Sequence, residues 1–122
     1  MSDLAVKFSD IDDVCISTFR FSDLTFDPVL HLLSSKGKTV YLRHQLNSLL
    51  TILVENANKG VSRKKLIDSI WDGNIHTGQK ALTHSICKLR TILQSISDSE
   101  INIITIPKFG YCLVSKSIQY TE

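Results

Sequence analysis

Lys80, His84, Cys87, Lys88 and Thr91 lie at spacings that bring them to one side of a helix. With Ile86, Leu82 and Leu89 turned inward, a rotation of about 100° per residue puts these five on the opposite side. That side carries cations and short hydrogen-bonding groups and no carboxylate. A helix entering a DNA major groove needs this combination: cations for phosphates, short polar groups for base edges. The same pattern also fits the solvated face of a helix packed on a core.

A second cluster lies upstream. Arg63, Lys64 and Lys65 follow Ser62 in "VSRKKLIDSIW". Ser62 is a suitable N-cap, so the three cations occupy the first turn of a helix. The macrodipole favours acidic residues there, and a capping box would put Glu or Gln where Lys65 stands. A phosphate bound at that helix start would offset the repulsion. Unselected surface composition is the alternative. Trp71 has a ring suited to stacking on a base, but its place on the stripe Leu66, Ile67, Ile70 makes it core.

The third feature is "PKFG", Pro107 to Gly110, between two apolar runs. Hairpin tips usually take small polar residues. This one presents Lys108 and Phe109. Pro107 stiffens the tip and Gly110 bends it, so the Phe109 ring is expected to be largely exposed. Tyr111 is expected to pack inward.

These residues need a frame. The first third reads as strands: "VCISTF" (Val14 to Phe19), "LTFD", "VLHLLS", and "TVYL" (Thr39 to Leu42), with a Gly37 turn before the last. Three helices follow. The first spans Arg43 to Asn56, with Leu46, Leu49, Leu50 and Leu53 on one face, and "NKG" ends it. The second is "VSRKKLIDSIW". After a loop "DGNIHTG", the third runs from about Gln79 to Gln94 on Leu82, Ile86, Leu89 and Leu93. "INIITI" and "YCLVS" form a terminal hairpin. The fold class is α+β: a winged helix-turn-helix with an N-terminal antiparallel β-sheet, a three-helix bundle and a C-terminal β-hairpin wing.

Composition narrows the function. The 122 residues suffice for one domain with one core. The longest apolar stretch, near Leu49 to Val54, is far short of the ~20 residues of a membrane span. The N-terminus lacks a signal-peptide pattern. Cys15, Cys87 and Cys112 match no zinc or disulfide spacing and fit a reducing cytoplasm. His31, His44, His76 and His84 lack metal-ligand spacing, and no nucleophile or phosphate-loop motif occurs. No catalytic, metal or cofactor residues are assigned, and an enzyme is not expected. The net charge of +2 is segregated: residues 1–34 carry −4, and Lys59 to Thr91 carry +5, with seven basic residues against two acidic. That asymmetry points to an anionic partner for the middle of the chain.

"GVSRKKLIDSIW", "ALTHSICKLRTIL" and "ITIPKFGYCLV" resemble the winged-helix DNA-binding domain of OmpR/PhoB-type transcription regulators. "ALT-SI-KLR" and "TIPK-GY" resemble the ToxR/CadC branch, and "RFSDLTFDPVLHLLSSKGKTVYL" resembles that branch's N-terminal sheet. The resemblance implies an N-terminal segment at 1–18, partly strand or disordered, a domain at 19–116, and a tail at 117–122 that starts a linker. It implies a third helix in the major groove and a wing at the minor groove. Lys80, Thr83, His84, Cys87, Lys88 and Arg90 fall at the family's recognition-helix contact positions, and Lys108 and Phe109 at the wing tip. The resemblance also implies that the loop Asp72 to Gly78 can face RNA polymerase.

The branch places this domain in the cytoplasm, ahead of a linker, one transmembrane helix and a periplasmic sensor. The chain is therefore expected to be a fragment of such a membrane-anchored regulator, without a receiver domain ahead of it. The expected partner is double-stranded promoter DNA, with RNA polymerase and a homodimer or tandem protomers as further partners, and no small-molecule substrate. Two residues depart from the pattern. The family often has arginine where this wing has Phe109, and a basic residue where the third helix has Cys87. Arginine gains from the potential of a narrow minor groove and phenylalanine does not. Phe109 is left to pack on sugars, wedge at a base step, or contact a second protein. The rival reading is a protein-interaction winged helix without DNA binding.

Overall fold

The computed structural model describes residues 18–21, 23–96, 101–115 and 118–121. Residues 14–17 of the first expected strand, and Cys15 with them, lie outside the described residues. Four short strands open the fold: β1 (Thr18–Phe21), β2 (Leu24–Asp27), β3 (Leu32–Ser35) and β4 (Lys38–Tyr41). They pair antiparallel in sequence order. Alternation sends Phe19, Phe21, Leu24, Phe26 and Leu33 to the buried face. Lys36 and Gly37, at φ +49° and +83°, make the two-residue turn between β3 and β4. Positive φ at both positions matches the right-handed twist of a hairpin.

Helix α1 (His44–Glu55) buries Leu49, Leu50, Leu53 and Val54. The chain leaves it through Asn58 at φ +65°. The Asn58 side chain holds both sides of Ser115: its Nδ2 donates to the Ser115 carbonyl, and its Oδ1 accepts the Ser115 N–H. Helix α2 (Arg63–Ile70) starts as expected, with Ser62 Oγ accepting the Lys65 N–H at 3.0 Å. Trp71 is its C-cap and is 9% exposed, a core residue.

Helix α3 (Ile75–Ile96) is longer than expected. The segment read as the loop Asp72 to Gly78 is a turn of three residues followed by the first turn of the helix. Asp72 and Gly73 take positive φ, and Asn74 Oδ1 accepts the Thr77 N–H. Gly78 had the look of a loop residue, but it serves packing. A Cβ there would lie 2.5 Å from Ile67 Cγ2, so its absence lets α2 cross against α3.

The wing is β6 (Asn102–Ile106) and β7 (Gly110–Val114), joined by a tight turn. Two strands were not anticipated. β5 (Val61–Ser62) pairs with β7 and ties the wing to the start of α2. β8 (Ile118–Thr121) pairs antiparallel with β1, so the segment read as a tail supplies the fifth strand of the N-terminal sheet. One cluster of buried side chains runs through the first sheet, all three helices and the wing strands. Its burial is the main force holding α3 at a fixed angle to the wing.

Candidate nucleic-acid interface

The buried stripe of α3 is Leu82, Ser85, Ile86, Leu89 and Leu93. Lys80, Thr83, His84, Cys87, Lys88 and Thr91 are exposed and share the outer side. The expected face therefore exists as a continuous surface. Thr83 and Thr91 donate their hydroxyls to the Gln79 and Cys87 carbonyls one turn back. Each hydroxyl oxygen keeps acceptor capacity, and at Thr83 it also accepts from Arg63 Nη2 at 3.2 Å.

Arg90 is not on this face. It stands four residues after Ile86, about 40° round the helix from it. Its guanidinium is half-buried against the wing: Nε donates to the Ile103 carbonyl at 2.9 Å and Nη2 to Thr105 Oγ1 at 3.0 Å. Helical periodicity alone excluded Arg90 from the outer face; the resemblance added it.

Arg63 is also engaged within the fold. Nε and Nη2 donate to Gln79 Oε1 at 2.9 and 2.6 Å, Nη2 to the Gln79 carbonyl and Thr83 Oγ1, and Nη1 to Tyr111 Oη at 2.7 Å. One guanidinium thus joins the start of α2 to α3 and β7. Gln79 stands at the start of the expected third helix, and its role as acceptor for Arg63 depends on a contact sixteen residues away. Lys64 pairs with Asp68 at 2.7 Å, an exposed i,i+4 pair of small energetic weight. Lys65 is exposed at the same helix start.

The wing tip is a four-residue turn in which the Phe109 N–H donates to the Ile106 carbonyl at 3.0 Å. Pro107 holds the second position. Lys108 holds the third at φ +62°, where a type II turn takes glycine. Lys108, not Gly110, therefore carries the bend. Gly110 is required for a different reason: a Cβ there would lie 2.0 Å from the Val61 carbonyl oxygen, which would separate β5 from β7.

Phe109 is exposed, at 47%, with part of the residue covered. It folds back with Ile106 over Gly60, where a Cβ would lie 3.0 Å from Phe109 Cε2 and 2.8 Å from Ile106 Cδ1. The Phe109 carbonyl accepts the Arg63 N–H at 2.9 Å, which fixes the tip to α2. Cys112, behind the tip, is buried, and desolvation raises its thiol pKa, whereas Cys87 is exposed. Among the described residues no group of three or more His, Cys, Asp or Glu is placed to hold a metal ion. No helix among them is long and apolar enough to cross a membrane.

Two open grooves among the described residues flank the exposed face of α3. One, of about 540 Å³, is lined by Arg63, Gln79, Lys80, Thr83, His84 and Cys87. The other, of about 480 Å³, runs between α3 and the corner joining β4 to α1. Cys87 lines both, so it marks the crest of the helix. Neither groove is lined by a carboxylate.

An antiparallel sheet, a three-helix bundle whose last helix exposes a basic face, and a terminal hairpin define a winged helix-turn-helix domain. The chain belongs to the OmpR/PhoB-type family described as "Transcriptional regulatory protein, C terminal", which matches residues 29–113. It is 33% identical over 104 residues to the transcriptional activator CadC of Escherichia coli K12, covering 84% of this chain and 20% of that one. It is 29% identical over 96 residues to the cholera toxin transcriptional activator of Vibrio cholerae, covering 75% of this chain and 33% of that one. The chain thus spans between a fifth and a third of the length of these two curated relatives. The solved DNA-binding domain of E. coli CadC superposes with a TM-score of 0.71 at 28% identity, covering 85% of this chain and 96% of that one.

Proposed function

We propose that this domain binds double-stranded promoter DNA sequence-specifically as the cytoplasmic reader of a bacterial transcription regulator. The observation that carries the reading is the outer face of α3, which is exposed, basic and free of carboxylates from Lys80 to Thr91. With α3 in the major groove, Lys80 and Lys88 meet phosphates, and His84, Thr83, Cys87 and Thr91 meet base edges. Lys64 and Lys65 meet phosphate at the start of α2. Lys108 reaches the backbone beside the minor groove, and Phe109 packs on sugars there. Arg63 and Arg90 act indirectly: the first holds Gln79 and Thr83 in position, and the second fixes the wing to α3.

The membrane-anchored architecture belongs to the same proposal and follows the branch that CadC and the cholera toxin activator represent. So does contact with RNA polymerase through the exposed turn Asp72–Asn74 and the neighbouring Ile75. So does binding as tandem protomers.

Selection of bound sequences from a pool of random duplexes tests the reading. A shared motif should emerge, and alanine at His84 should narrow the gap between that motif and random DNA by about 1–3 kcal/mol. Failure to enrich any motif would favour the rival, a winged helix that binds protein through Phe109.

A further inference from the structure

The basic residues on the α2 side of α3 form one wall of a groove, and the opposite groove has a wall of its own. It is lined by Tyr41, Arg43 and Leu46 on the β4–α1 corner and by Cys87, Lys88 and Thr91 on α3. Two of these are cations, and neither has a carboxylate beside it in the groove. Arg43 is exposed, and among the described residues its guanidinium makes no hydrogen bond or ion pair. It differs in this from Arg63 and Arg90, whose donors are committed to neighbouring side chains and carbonyls. Arg43 also serves as the N-cap residue of α1 without capping it, so its side chain has no structural task there. Tyr41, which lines the same wall, is 66% exposed, and its ring stacks on His31.

A helix seated in a major groove lies between two sugar-phosphate strands. Cys87 forms the crest between the two grooves, so each groove faces one strand. We propose that the groove between α3 and the β4–α1 corner receives the sugar-phosphate backbone of the second DNA strand, with Arg43 as its principal phosphate contact and Lys88 opposite it. The inference rests on the DNA-binding reading above. The occupant is set by charge complementarity and by continuity with the α3 face. Arg43 suits a phosphate because its planar donors remain paired with no other acceptor.

The test compares the intact chain with Arg43→Ala, Arg43→Lys and Arg20→Ala, binding a short random-sequence duplex over a range of salt concentrations. Arg20 is exposed on β1 and lines neither groove, so its variant controls for net charge. Removing Arg43 should weaken binding several-fold and reduce the log–log salt slope by about 0.9, the contribution of one phosphate contact. Arg43→Lys should keep most of that slope, and Arg20→Ala should keep all of it. Ethylation interference on a selected duplex should lose one phosphate, on one strand only, in Arg43→Ala. A steep wild-type slope shared unchanged by Arg43→Ala would overturn this inference and leave the DNA reading standing. Equal losses for Arg43→Ala and Arg20→Ala would also overturn it, as an effect of net charge. A salt-independent wild type would remove the DNA reading itself, and this inference with it.

Discussion

Arg63 donates from Nη1 to the Tyr111 hydroxyl at 2.7 Å, across the junction of α2 and the wing. The same guanidinium lies 5.7 Å from the centre of the Tyr111 ring. Tyr111 is buried, so its hydroxyl has few other partners. Tyr111→Phe keeps the ring and removes the acceptor. It should lower unfolding stability by about 1 kcal/mol, the usual net worth of such a bond. Urea unfolding measures this. An unchanged midpoint would mean that Arg63 holds α3 without help from β7.

Gly78 permits the close crossing of α2 and α3. Gly78→Ala adds a methyl 2.5 Å from Ile67 Cγ2, inside the packed core. Overpacking of this kind costs about 1–3 kcal/mol. The paired change Ile67→Ala with Gly78→Ala removes the crowded Cγ2 and Cγ1, so the double variant should lose less stability than the two single losses added together. A Gly78→Ala variant as stable as wild type would show that the helices part freely.

Lys108 is strained at φ +62°. Glycine tolerates that conformation, so Lys108→Gly should raise stability by about 0.5 kcal/mol even after glycine's greater freedom in the unfolded chain is counted. If Lys108 meets phosphate, the same variant should bind DNA more weakly. Opposite signs in the two measurements identify a residue kept for binding. A loss of stability would show that the lysine supports the turn itself.

Phe109 lies over Gly60 and is 47% exposed. Phe109→Ala should cost about 1 kcal/mol of stability, from apolar area returned to water. If the exposed half packs on DNA, single-site binding should weaken as well. If it meets a neighbouring protomer, single-site binding should persist and cooperative binding to tandem sites should be lost.

Local signals were legible. Ser62 as an N-cap, the Lys36–Gly37 turn, the departure from α1 near Asn58 and the inner stripe of α3 each depend on residues a few positions apart. The outer face of α3 follows from the same periodicity. What escaped depends on partners far along the chain. Gly78 looks like a loop glycine until Ile67 is placed against it. β5 is two residues long and exists because Gly110 brings β7 against it. β8 is short and takes its register from β1. Arg63 and Arg90 have the chemistry of phosphate contacts, but Gln79, Tyr111 and the Ile103 carbonyl engage them first. Nothing near Arg43 in sequence signals that it borders α3.

The central claim is that the crest of α3 faces duplex DNA, and Cys87 offers a probe of that crest. Alkylation followed residue by residue, with and without a saturating selected duplex, tests it most directly. In free protein Cys87 should react readily. Cys112 should react slowly, because burial and its raised pKa keep the thiolate scarce until the pH climbs above the ordinary thiol range. Bound duplex should protect Cys87 strongly and leave Cys112 unchanged. Equal alkylation of Cys87 in free and bound protein would contradict the account, since α3 could not then lie in the groove.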